Sequence, residues 1–102
     1  MSMPLTVRTE RRGDGRVVLR AAGEIDASNI ATFSDALSAA TAEAADTFTV
    51  DLTGVEYLDS AAINALVPHA DSLHIIANPV LIPVLRVSGL AELATVRPAS
   101  DL

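Results

Sequence analysis

The sequence lacks cysteine, lysine and tryptophan altogether, and its only aromatic residues are Phe33, Phe48 and Tyr57. Without cysteine there is no thiol nucleophile, no disulfide and no thiolate metal site. Without lysine all 7 basic residues are arginine. That removes the lysine a phospho-accepting receiver domain needs near its last strand, although Asp51 stands at a strand position that otherwise suggests one. Cation is in short supply as well, with 13 acids giving a formal charge of −6. An acidic chain poor in aromatics repels phosphate backbones and cannot stack single-stranded bases, so nucleic acid is excluded as a partner. No hydrophobic run is long enough to cross a bilayer. The longest charge-free stretch, Ser72 to Leu85, is interrupted by His74, Asn78, Pro79 and Pro83. Met1 to Arg12 has no apolar signal segment, and the expectation is a cytoplasmic protein with no direct membrane insertion.

What the chain does have is core material: half of its 102 residues are apolar and the mean hydropathy is +0.38. That suits a single domain over 1–102, with a core of Ala, Val, Leu and Ile. Leu5 to Thr9 alternates apolar and polar as a half-buried strand does. Gly13-Asp14-Gly15 supplies a tight turn, and Arg16 to Ala22 is the returning strand. Arg12-Gly13-Asp14 spells a cell-adhesion tripeptide, but its place between two strands makes it a hairpin turn. Ile30, Phe33, Leu37, Ala40 and Ala44 then form one stripe of an amphipathic helix, with Asp26 or Ser28 able to cap it. Phe48 to Leu52 is the next strand, and Thr53-Gly54 should break it. A second helix opens at Ser60 behind Asp59 and runs to about Ala70, with Pro68 expected to kink it or end it early. Leu73 to Ala77 reads as a short buried strand. Pro79 opens a third helix that Gly89 closes, and Leu93 to Val96 is a candidate last strand. The alternation predicts an α/β fold: a mixed sheet with an N-terminal hairpin followed by parallel β-α units.

Few constellations promise chemistry. His69 and His74 are five apart and have no carboxylate at a ligand-like offset, so no metal is expected. Ser60 lacks the glycines that flank a hydrolase nucleophile, since Leu58 and Ala62 occupy those positions. No catalytic residue and no cofactor follow from the sequence, and the chain is not expected to be an enzyme.

Two segments about thirty residues apart are more informative. Gly23-Glu24-Ile25-Asp26 matches a G-E-(I/L)-D motif. Asp51-Leu52-Thr53-Gly54-Val55-Glu56-Tyr57-Leu58-Asp59-Ser60-Ala61-Ala62 follows a D-L-x-x-(V/L)-x-x-(I/L)-D-S-x-G motif up to its last position. Ile76-Ala77-Asn78-Pro79-Val80, with Ser88-Gly89-Leu90 beyond it, gives a third match. With these motifs, from about Leu5 to Val96, the chain resembles the STAS family, which includes bacterial anti-sigma factor antagonists and the STAS domains of anion transporters. The resemblance implies a STAS-like mixed sheet of four to five strands with helices packed on it. It implies phosphorylation at Ser60 and a contact surface of Asp26, Ser28, Asn29, Asp59, Ser60, Ala61 and Asn64. The implied partner is an anti-sigma factor of the serine protein kinase type, bound when Ser60 is free and released when it is phosphorylated. The alternative is an accessory subunit of a lipid or anion transport complex, with Ser60 structural. On spacing alone, Asp-Ser before an apolar run reads as an ordinary helix cap, and it is the family resemblance that makes Ser60 a phosphorylation site.

Two local features add expectations. Ala62 replaces the family's usual glycine, placing an extra methyl beside Ser60 where a partner would dock. The helix from Pro79 to Ser88 has almost no polar stripe, which predicts a homodimer or an obligate partner docking near Leu81 and Leu85.

Overall fold

A computed structural model describes residues 3–99. Strands β1 (Thr6–Arg11) and β2 (Val17–Ile25) form an antiparallel hairpin, and β3 (Phe48–Leu58), β4 (Leu73–Ala77) and β5 (Thr95–Pro98) follow in parallel to give the order β1-β2-β3-β4-β5. The sequence-predicted mixed α/β sheet is thus present with five strands. At the hairpin Gly15 takes φ +86°, and the Asp14 carboxylate accepts from the Arg16 amide at 3.0 Å. The Arg-Gly-Asp tripeptide is turn chemistry.

Helices α1 (Ile30–Glu43), α2 (Ser60–Leu66), α3 (Ile82–Val87) and α4 (Leu90–Leu93) fill the crossovers, with 3-10 turns at Val67–Ser72 and Pro79–Leu81. Each parallel crossover steps to the next strand in the same direction, and right-handed connections of that kind put every helix on one face of the sheet. Burial agrees. Leu19, Ile25, Val50, Leu52, Leu58 and Ile75 point into one cluster with Phe33, Leu37, Leu66, Leu85 and Leu90 from the helices. The opposite face is bare and carries an ionic ladder, with Arg20 reaching Glu10 at 3.3 Å and Asp51 at 2.6 Å.

Strand β3 does not stop at Thr53-Gly54. It runs on to Leu58 by way of two register slips against β2, where Arg20↔Asp51 gives way to Ala22↔Gly54 and Gly23↔Val55 to Glu24↔Tyr57. Each slip is a bulge that inserts one extra residue into β3. Leu52, Val55 and Leu58 therefore all face the core, although they are three apart in sequence. Asp51 braces the first bulge, its carboxylate accepting from the Thr53 amide at 2.9 Å.

The second helix ends early, as Pro68 requires, and tightens into the 3-10 turn. The third begins as a 3-10 turn with Asn78 accepting from the Val80 amide, and Gly89 closes it at φ +84°. The last strand lies further on than Leu93–Val96, because Leu90–Leu93 form the one-turn helix α4 after that glycine. Leu81 and Leu85 are not surface residues. They are 3% and 0% exposed, so any docking by this helix uses its other side.

Candidate functional site

The site is built by the pairing of β2 with β3. Ile25 lies opposite Leu58 at the C-terminal ends of these parallel strands, and the Asp59 amide donates to the Ile25 carbonyl at 3.2 Å. The residues that follow, Asp26 on one chain segment and Asp59-Ser60 on the other, therefore emerge side by side at one sheet edge. The two bulges make this possible, since β3 spends two more residues than β2 in reaching that edge.

Asp59 caps α2. Its backbone is extended, and its carboxylate accepts from the Ala61 amide at 2.9 Å. Ser60 is the first helical residue and its side chain is exposed. Asn64 is also exposed, one turn further along the same helix face, while Ala61 is half-buried beside it. Ala62 is fully buried. Its methyl group belongs to the core and not, as the sequence comparison suggested, to the surface around Ser60.

Neither Asp26 nor Ser28 caps α1. The N-cap position is Asn29, which makes no side-chain capping bond. The three residues instead bind one another. The Ser28 hydroxyl and amide both donate to Asp26 Oδ1, Asn29 Oδ1 accepts from the Asp26 amide at 3.0 Å, and Asn29 Nδ2 donates to the Glu24 carbonyl at 2.8 Å. Asn29 thereby ties the loop to the end of β2. The hydroxyl of Ser28, followed by its amide, holds the Asp26 carboxyl below its ordinary pKa, so it stays ionised. The loop is a braced, anionic rim next to Ser60.

Sequence reasoning missed Glu56 and Tyr57. Both are exposed, Tyr57 half so, immediately before Leu58. The second bulge puts two successive residues on the outer surface, which strict alternation does not allow. Among the described residues no cluster of His, Asp or Glu could hold a metal ion, and no helix is long and apolar enough to cross a membrane. A shallow depression of about 520 Å³ lies elsewhere, on the bare sheet face between Arg8, Arg20 and Thr53.

A family model described as "Mlab, STAS domain" matches residues 9–95. The chain belongs to the STAS domain family. No curated protein sequence matches it significantly. Among solved structures, an anti-sigma factor antagonist from Mycobacterium paratuberculosis is 24% identical with a TM-score of 0.86, over 99% of this chain and 93% of that one. The unphosphorylated form of the anti-sigma factor antagonist SpoIIAA gives 17% and 0.72, over 94% and 91%. An antisigma-factor antagonist STAS domain from Rhodobacter sphaeroides gives 20% and 0.53, over 95% and 88%. At these identities the likeness establishes the STAS fold across nearly the whole chain.

Proposed function

We propose that this STAS domain, a single domain over 1–102, is an anti-sigma factor antagonist acting in the cytoplasm. It is a non-catalytic binding module that takes up an anti-sigma factor of the serine protein kinase type and so frees a sigma factor. The observation that carries this reading is the exposed Ser60, held by the Asp59 cap at an edge shared with Asp26. The contact surface comprises Asp26, Ser28, Asn29, Asp59, Ser60, Ala61 and Asn64, to which we add Tyr57, since half-exposed aromatics are frequent interface anchors. Likeness in fold to proteins named as anti-sigma factor antagonists supports the assignment.

In the switch, the kinase moves the γ-phosphoryl group of ATP to Ser60 Oγ, leaving ADP and releasing the hydroxyl proton. The product carries about −1.5 to −2 charges beside Asp59 and the ionised Asp26. A partner surface fitted to a neutral hydroxyl must then accept an uncompensated dianion, which costs several kcal/mol at a contact centre. The expected loss of affinity is on the order of 100-fold or more. Ser60→Ala should bind the anti-sigma factor constitutively and resist phosphorylation, and Ser60→Asp should fold but fail to bind. Binding by calorimetry and phosphorylation by mass spectrometry test this. Ser60→Asp binding as tightly as wild type, or phosphate found on Ser60→Ala, would sink the switch.

The family description, which names Mlab, favours one second reading: an accessory subunit of a lipid or anion transport complex, docking through its apolar helix faces. Ser60 would then be structural. Purification from cells with an ABC permease or its ATPase, indifferent to Ser60→Asp, would select it.

A further inference from the structure

Parallel strands are normally covered on both faces, most often by helices. Here β2 to β5 run parallel, yet the helices pack on the core side alone. A single row of register partners crosses the bare side from edge to edge: Arg8, Arg20, Asp51, Ile76 and Arg97. Residues directly opposite one another in a sheet point to the same face. Two shallow depressions lie along it. One, of about 520 Å³, is bordered by Arg8 and Arg20, and the other, of about 270 Å³, by Arg12, Arg16 and Arg20. Ala22 lines the first, and Val18 and Ile76 line the second, so apolar surface alternates with guanidinium groups.

The charge of this face runs against that of the chain, whose net charge is −6. No arginine occurs between Arg20 and Arg86, the span that holds most of the acids. The acids among the sheet-face arginines are already engaged: Asp14 by Arg16 at 3.2 Å, and Glu10 and Asp51 by Arg20 at 3.3 and 2.6 Å. Arg8, Arg12 and Arg97 are exposed and belong to none of the ion pairs among the described residues. Glu24, further along β2 toward the Ser60 edge, lines neither depression. Three cations without a counter-ion call for carboxylates from elsewhere. A small anion fits poorly, because both depressions are open and no buried side-chain polar atom among the described residues is left without a partner to grip it. An anionic bilayer takes about four to eight clustered basic residues, and it would repel the acidic remainder of the chain. Nucleic acid would meet Glu10, Asp14 and Asp51 in the midst of the arginines. A protein helix fits, since it adds the missing layer and brings carboxylates with apolar side chains between them.

We propose that the bare sheet face docks an acidic amphipathic helix of a partner protein. Its carboxylates pair with Arg8, Arg12 and Arg97, and its apolar residues cover Ala22 and Ile76. This surface is separate from the Ser60 edge, so the docking does not depend on the switch proposed above.

The probe is a synthetic amphipathic helix with Leu along one face and Glu on its flanks, compared with the same peptide carrying Lys for every Glu. Each is titrated into the isotope-labelled full chain and followed by amide NMR shifts. The Glu peptide should move the amides of Arg8, Arg20, Thr49 and Ile76, leave Ser60 to Asn64 in place, and bind with a dissociation constant on the order of 0.1 mM. The Lys peptide should bind at least ~10-fold more weakly. Arg8→Glu and Arg97→Glu, at exposed positions, should retain the native circular dichroism and each weaken the Glu peptide about 5-fold. Combined, they should transfer the preference to the Lys peptide, which separates charge pairing from general loss of stability. The proposal is overturned if the Glu peptide does not bind at about 1 mM, if the Lys peptide binds as well, or if the arginine variants make no difference. Shifts confined to the exposed Val80, Val84 and Val87 of the third helix and its opening turn would also overturn it, as would sedimentation of the chain with phosphatidylglycerol vesicles.

Discussion

Gly23 shows how much one residue of the G-E-I-D segment decides. It sits in β2 with φ +101°, and a Cβ added there would lie 2.2 Å from the Pro4 carbonyl oxygen. The N-terminal segment crosses close against β2 at this point, with the Glu24 amide donating to the Met3 carbonyl. Gly23→Ala combines a strained backbone with a clash that only main-chain movement can relieve. It should cost about 3 kcal/mol or more, lowering the melting temperature on the order of 10–20 °C in a scanning calorimeter. At Asp26 the consequence is electrostatic. Its carboxyl titrates below the unfolded value of 3.8 because Ser28 donates to it. A group depressed in this way contributes stability that is fully present above pH 3.8 and is lost as pH falls through its lower native value. A carboxyl-carbon NMR titration should therefore place the Asp26 midpoint below that of a free aspartate, and Ser28→Ala should move it back up.

The elements that the sequence disclosed are those whose burial follows one undisturbed period. The stripe of α1 put Phe33, Leu37 and Ala40 in the core, and β4 lies at Leu73–Ala77 as its apolar run predicts. Thr53-Gly54 misled for a physical reason. A bulge uses the same small, turn-forming residues as a chain break, and only the neighbouring strand reveals which has occurred. The edge that presents Ser60 was legible from two motifs, Gly23–Asp26 and Asp51–Ala62, but Tyr57 was not, because its exposure depends on the second bulge. For α3, counting apolar residues could not tell the inward leucines from the outward valines, since no polar face marked the direction. Asp51→Ala tests the bulge directly. It frees the Thr53 amide and leaves Arg20 with Glu10 alone, which should cost about 1–3 kcal/mol in urea denaturation and speed hydrogen exchange at Thr53.

Taken as a whole, the molecule has two layers, and its centre of stability lies off the sheet's middle plane, toward the helices. Residues 49–52 of β3 are flanked by β2 and β4 and lie over the core, whereas β1 and β5 each have one open edge. Hydrogen exchange should follow that order. The amides of 49–52 should open only with global unfolding, and those of β1 and β5 should exchange sooner through local opening. The strand order has a further consequence, and it concerns time. Because the sheet follows chain order, every strand pairs with the strand made just before it, and none must be threaded between two already joined. Each pairing closes no more than one crossover, which keeps the entropy of loop closure low at every step. A chain leaving the ribosome can extend the sheet from one edge, each new β-α unit docking on a template already finished. The Ser60 edge, made by β2 and β3 alone, can then take shape before β4 and β5 have joined the sheet.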